Sequence, residues 1–186
     1  MAKPSYLPAE VTTYWDPDEG RVIQPPGTVL QAVQTSTGDT WASGGANGTT
    51  WYNISVLNTN ITPKSATSKI LIRTMLNIGS GYWEIQGRYT RNGTPIGLGG
   101  PRGSRTQCTF IDNRYEDVGG VRNGWGAVSA EYLDSPATTS AITYGVDVNG
   151  YSTYVVGLNY NPYSDVNNAD YFGTPISTMT LMEISG

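Results

Sequence analysis

Apolar and polar residues alternate with a period of two along most of the chain, and residues 131–148 (EYLDSPATTSAITYGVDV) carry the clearest example. In their second half Ile142, Tyr144, Val146 and Val148 oppose Ala141, Thr143, Gly145 and Asp147, the spacing of a half-buried strand. Asp134, Ser135 and Pro136 interrupt the run with a turn signal. The reading is strand, corner, strand. The same period predicts a first strand over residues 28–34 and a second run over residues 51–61. A third, over residues 68–78, places Ile70, Ile72, Thr74, Leu76 and Ile78 on one face.

The connections say how these strands meet. Residues 61–69 (ITPKSATSK) are polar, with one proline, and long enough to pass from one sheet to another. Asn92-Gly93 is the strongest short hairpin signal, because a primed turn needs positive φ at both central residues. Further strands are expected over residues 105–111, 127–133, 151–160 and 176–184, about nine in all counted from the sequence. That number suits an all-β, jelly-roll-like β-sandwich with an extended N-terminal arm.

The arm covers residues 1–26 and the sandwich residues 27–186. Pro4, Pro8, Pro17, Pro25 and Pro26 bar the arm from a central strand or a long helix. Its apolar residues, Tyr6, Leu7, Val11, Tyr14 and Trp15 among them, are more than a free arm should show to water. Docking on neighbouring subunits or on another protein is the expectation, against wrapping of the arm around its own domain. Asp16, Asp18 and Glu19 belong to a solvated or docking cluster.

Composition then removes function classes. A chain of 186 residues can close a core without staples, and a net charge of -4 with 11 scattered Lys and Arg does not make a nucleic-acid face. There is no His, which removes the commonest acid–base and metal-binding side chain, and Cys108 is the single Cys, read as a small packed residue. The adjacent carboxylates Glu116 and Asp117 point to opposite sides of an extended chain and are better balanced by Arg114 and Arg122 than used on a glycosidic bond. The expectation is no enzyme, no catalytic residue, no cofactor and no metal. Neither a signal peptide nor an apolar run of roughly 20 residues appears, so no membrane insertion is expected. Asn47, Asn53, Asn60 and Asn92 open glycosylation sequons that carry no weight without a secretory signal.

Three segments carry a resemblance: PGTVLQAVQ at residues 26–34, ITPKSATSKILI at residues 61–72, and YLDSPATTSAITYGVDV at residues 132–148 with the terminal STMTLMEISG. Together, in this order, they resemble a C-terminal domain of bacteriophage tail fibres and related virion adhesins. The resemblance implies a homotrimer in the virion, made in the host cytoplasm, its arm on other virion proteins and its tip on host surface polysaccharide. The short arm also suits a capsid cement or decoration protein. Residues 159–173 (NYNPYSDVNNADYFG) mix aromatic rings with amides and carboxylates, as recognition loops do. Tyr160, Tyr163, Asp165, Asn167, Asn168 and Tyr171 are the candidate ligand-binding residues, against packing of the same rings onto the loop's own sheet. Deleting residues 1–24 should leave a folded sandwich that sediments as a monomer; retention of the assembled species would refute the arm's role.

Overall fold

The computed structural model describes residues 14–16, 21–45, 49–80, 84–113, 117–118, 121–122, 124–150, 154–163 and 173–186. In the arm, β1 (Tyr14–Asp16) and β2 (Arg21–Ile23) pair as a small antiparallel hairpin. Tyr6, Leu7 and Val11 lie outside the described residues, as do the side chains of Tyr14 and Trp15. The sandwich then runs through β3 (Val29–Thr37), β4 (Trp41–Ala42), β5 (Tyr52–Asn53), a 3-10 turn (Ser55–Leu57), β6 (Thr59–Ile61), β7 (Lys69–Ser80), β8 (Glu84–Arg91), β9 (Thr94–Ile96) and β10 (Phe110–Asn113). After a two-stranded ribbon of β11 (Asp117–Val118) and β12 (Val121–Arg122) come β13 (Gly124–Asp134), β14 (Ile142–Gly150), β15 (Val156–Leu158) and β16 (Ser177–Ile184).

Two antiparallel sheets form the sandwich. Sheet I runs β3, β16, β7, β13, with β4 and β15 extending the first two lines; sheet II runs β10, β8, β14, β5, with β9 and β6 extending its edges. The chain changes sheet between β6 and β7 and again between β13 and β14. The polar link expected to pass between sheets does so, and the corner after Asp134 also joins two sheets, which its turn residues alone do not encode.

Side-chain alternation explains why the sheets close. Ile70, Ile72, Leu76 and Ile78 of β7 and Met179 and Leu181 of β16 face Tyr89 of β8 and Tyr144, Val146 and Val148 of β14 in one core. Each fully buried aliphatic chain contributes about 1.5–3 kcal/mol of transfer free energy. Two tyrosines carry polar ties across that core. Tyr89 donates to the Ala130 carbonyl (2.8 Å) and shares a hydrogen bond with Thr74 (2.9 Å), while Tyr144 donates to Asp134 (2.6 Å), which Arg91 also holds at 3.0 Å. Burial, tempered by the Thr74 bond, pushes the Tyr89 hydroxyl up to about 12; burial and then the Asp134 carboxylate push Tyr144 up further. Asp134, expected to cap its own turn, instead reaches from sheet I into sheet II.

Several sequence expectations change in detail. Residues 51–61 are two short strands around a 3-10 turn, each pairing with a different part of β14. The strand expected over residues 105–111 begins only at Phe110, because β9 already occupies β8 from Tyr89 onward; the Cys108 carbonyl accepts from the Gly99 N–H instead. Among the described residues of the strand expected over 151–160, only Val156–Leu158 is strand. Among the described residues of the expected hairpin, Asn92 (φ 49°) and Gly93 (φ 79°) have the positive φ that the primed turn requires. Cys108 is half-buried, and burial with the nearby Glu84 charge raises its thiol.

At the base of sheet I the Glu183 carboxylate is fully buried. Its oxygens accept from the backbone N–H of Lys64 (2.7 Å) and the amide of Gln31 (2.6 Å). Burial works to raise this acid, but hydrogen bonding outweighs it and holds the carboxyl below its ordinary 4.5. The Ser68 hydroxyl lies close beside it, yet closes no hydrogen bond of normal geometry. A folded-state value below the unfolded one means that this stabilisation is complete above pH 4.5 and is lost as pH falls through the lowered value. Glu183→Gln would turn an amide N–H toward one of two donors. Urea titration at pH 7 should show a loss of about 1–3 kcal/mol. The gap from the wild type should narrow below about pH 4; a pH-independent gap would refute the charge's role.

Candidate functional site

On the outward face of sheet II, cross-strand register brings Arg88 opposite Asp147 and Asn53 opposite Asp147 from the other side. Adjacent strands place such partners about 5 Å apart, so two polar side chains converge on one carboxylate. Arg88 gives Asp147 two hydrogen bonds, from Nε at 3.1 Å and Nη2 at 3.0 Å, and Asn53 gives a third at 3.1 Å. Asn58, just past the 3-10 turn, donates to the Asn53 carbonyl oxygen at 3.0 Å. The Arg88 guanidinium also lies over the Trp51 ring, 4.2 Å from its centroid. The chain of contacts is continuous from indole to amide.

This explains why β14 is not half-buried as its alternation suggested. Asp147 is only 8% exposed although it points away from the core. Gly145 makes the arrangement possible. A Cβ there would lie 2.6 Å from Asn58 Oδ1, 2.8 Å from Asn53 Nδ2 and 3.0 Å from Thr90 Oγ1, so only glycine lets the amides lie flat on the sheet.

Above this floor opens a cleft of about 290 Å³ lined by Trp51, Asn53, Asn58, Thr90, Thr143 and Asp147. Chemically it sets an apolar plane beside carboxamide and hydroxyl groups, with its one carboxylate neutralised by Arg88. A larger depression of about 410 Å³ on the outward face of sheet I is lined by Arg73, Met75, Glu131, Thr180 and Met182. There the ionic contact, Arg73 to Glu131 at 3.6 Å, has side chains 59% and 68% exposed and fixes little. No group of three His, Cys, Asp or Glu that could hold a metal occurs among the described residues.

Of the expected ligand-binding residues, Asp165, Asn167, Asn168 and Tyr171 lie outside the described residues. Tyr160 is half-buried just past β15, and Tyr163 is 46% exposed. The Tyr163 hydroxyl accepts from the Val155 N–H at 2.8 Å and its ring meets Tyr154 edge-on at 5.7 Å, so this ring packs on its own loop. Asn159 sets where the loop leaves the sheet: at φ 61° it donates to the carbonyls of Thr37 and Asp39 and accepts from Ser177. β15 and β16 continue one line along β7.

No family model matches the chain, and no curated protein matches it significantly. Among the solved structures that it resembles are two that overlap it loosely, at scores too low to bear on function. The infectious bursal disease virus VP2 subviral particle gives a TM-score of 0.38 at 11% identity, covering 94% of this chain and 37% of that one. Infectious bursal disease virus Gx strain gives 0.33 at 10%, covering 91% and 40%. This chain thus spans less than half the length of either.

The Arg88–Asp147 pair should matter far more than Arg73–Glu131. Arg88→Ala strands a carboxylate that is nearly out of water and should cost about 3 kcal/mol in urea unfolding. Arg73→Ala should cost under about 1 kcal/mol. Equal losses would contradict this account of the two faces.

Proposed function

We propose that this chain is a bacteriophage virion structural protein, a short trimeric tail fibre that attaches by its N-terminal arm and recognises host surface polysaccharide. What supports the reading is where the segments of the resemblance fall. Residues 26–34 supply β3, residues 61–72 lead into β7, residues 132–148 span β13 and β14, and the terminal segment is β16. Four of these five strands are neighbours in sheet I, in the order β3, β16, β7, β13.

Contacts between them are specific as well. Glu183 of the terminal segment accepts from Gln31 of the first and from Lys64 of the second. The backbone of Ser185 exchanges hydrogen bonds with Gly27 and Thr28 at 2.9 Å. Segments that share a resemblance are here segments that touch, as expected when the likeness is to a packed unit and not to composition.

In a trimer three shallow sites act together. Linked sites make later binding steps intramolecular, and avidity can rise about 100- to 10,000-fold when geometry allows. A weak saccharide site on each copy is then enough to hold a particle to a cell.

Immunogold labelling of purified particles with antibody to this protein tests the reading. Label at the tail is expected. Label on the head would make the chain a capsid decoration protein, and particles without label would overturn a virion role altogether.

A further inference from the structure

We propose that the cleft on the outward face of sheet II is a binding site for an uncharged saccharide, with Trp51 as the stacking plane and Asn53 and Asn58 as hydroxyl partners. The inference rests on the reading of the chain as a polysaccharide-recognising protein and names the site and the ligand chemistry within it.

Four observations converge. A pyranose ring has an apolar C–H face and a rim of hydroxyls, and it needs an aromatic plane beside groups that both donate and accept. The cleft supplies that pairing: Trp51 lines it together with two carboxamides and two hydroxyl residues, Thr90 and Thr143. Its size, about 290 Å³, lies at the small end of ligand sites, suiting one or two sugar rings and no larger organic molecule.

The charge balance selects among saccharides. Asp147, the carboxylate in the cleft lining, takes three hydrogen bonds from Arg88 and Asn53. The Arg88 guanidinium is spent on that carboxylate and on the Trp51 ring. An acidic sugar would have to compete with Asp147 for it, whereas a neutral sugar leaves the pair intact.

The groups are also held before any ligand arrives. Asn58 is fixed by Asn53, Asn53 by Asp147, and both amides lie over Gly145, where a Cβ would displace them. Groups ordered in advance lose little further freedom on binding, so that even a few weak hydrogen bonds yield net affinity. Asn53 and Asn58 are nevertheless exposed. The Asn53 amide gives its donors to Asp147 and the Val146 carbonyl, which leaves its oxygen as a further acceptor, while Asn58 keeps its oxygen and a second N–H for a ligand.

The test uses the full-length protein and saturation-transfer NMR against oligomers of glucose, galactose, mannose and N-acetylglucosamine, with polygalacturonate and polysialic acid as acidic counterparts. At least one neutral oligomer should bind in preference to the acidic ones. Its affinity should fall at least tenfold in Trp51→Ala and in Asn58→Ala, and stay within twofold in Tyr163→Ala and Arg73→Ala. Asn58 is exposed, so its variant should fold even if Trp51→Ala does not. No binding by any neutral oligomer, preference for the acidic ones, or full binding by Asn58→Ala would each overturn the assignment. The two claims fail separately. Neutral sugar bound in the cleft of a protein absent from particles would sink the virion reading alone. Cell binding by tail-located protein that Asn58→Ala leaves intact would sink the cleft alone.

Discussion

A carboxylate without access to water holds the base of sheet I together. Glu183 sits at 0% exposure, and an ion there is tolerable only if its oxygens are saturated by donors. Those donors come from far along the chain: Gln31 in β3 and the Lys64 backbone in the link before β7. The acid therefore dictates that the first strand, the sheet-changing link and the last strand arrive together. Nearby, a Cβ on Gly186 would lie 2.2 Å from the Thr67 carbonyl oxygen, so the chain's last residue is seated as closely as its neighbours permit.

From that base the rest follows by alternation. Once β16 lies between β3 and β7, its odd-numbered residues from Ser177 to Glu183 face inward and its even-numbered ones outward. Sheet II is laid over them by apolar packing and by Tyr89 and Tyr144, whose hydroxyls find acceptors on sheet I. Buried hydroxyls demand partners, and here the partners fix the register of one sheet over the other. Gly87 allows the closest approach of all, since the Phe110 ring occupies the place a side chain would take, at 1.9 Å from an added Cβ. The outward face of sheet II is free for other work, and there the polar cluster and Trp51 gather.

How much of this the sequence disclosed depended on whether a strand's neighbours were simple. The alternation of β7 was legible because one face meets the apolar core, with the Tyr89 hydroxyl satisfying Thr74; Ile70, Ile72, Thr74, Leu76 and Ile78 all came out buried. The Asn92-Gly93 turn was legible because its chemistry is local. β14 was half legible: its inner face was identified, but its outer face is covered by partners from β5, β8 and the 3-10 turn, which no local pattern encodes. Residues 105–108, expected as strand, bond Gly99 instead of β8, whose edge β9 already takes.

The candidate site shows the same division. Trp51, Asn53 and Asp147 were each visible singly, as a large ring, a sequon and a strand position, while their meeting with Arg88 and Asn58 depends on long-range pairing. The one local clue was the run Thr143, Gly145, Asp147, Asn149, a polar face with a glycine in it on a strand whose other face is core. Such a glycine marks close approach by other side chains.

A side-chain-resolution reconstruction of the intact particle tests the central claim most directly, that this sandwich is a passive recognition element whose sheet II cleft faces the host. The account predicts three copies at the tail, arms against a tail protein and the Trp51 clefts open to solvent. Clefts sealed against a neighbouring virion protein, or a protein missing from the particle, would contradict it.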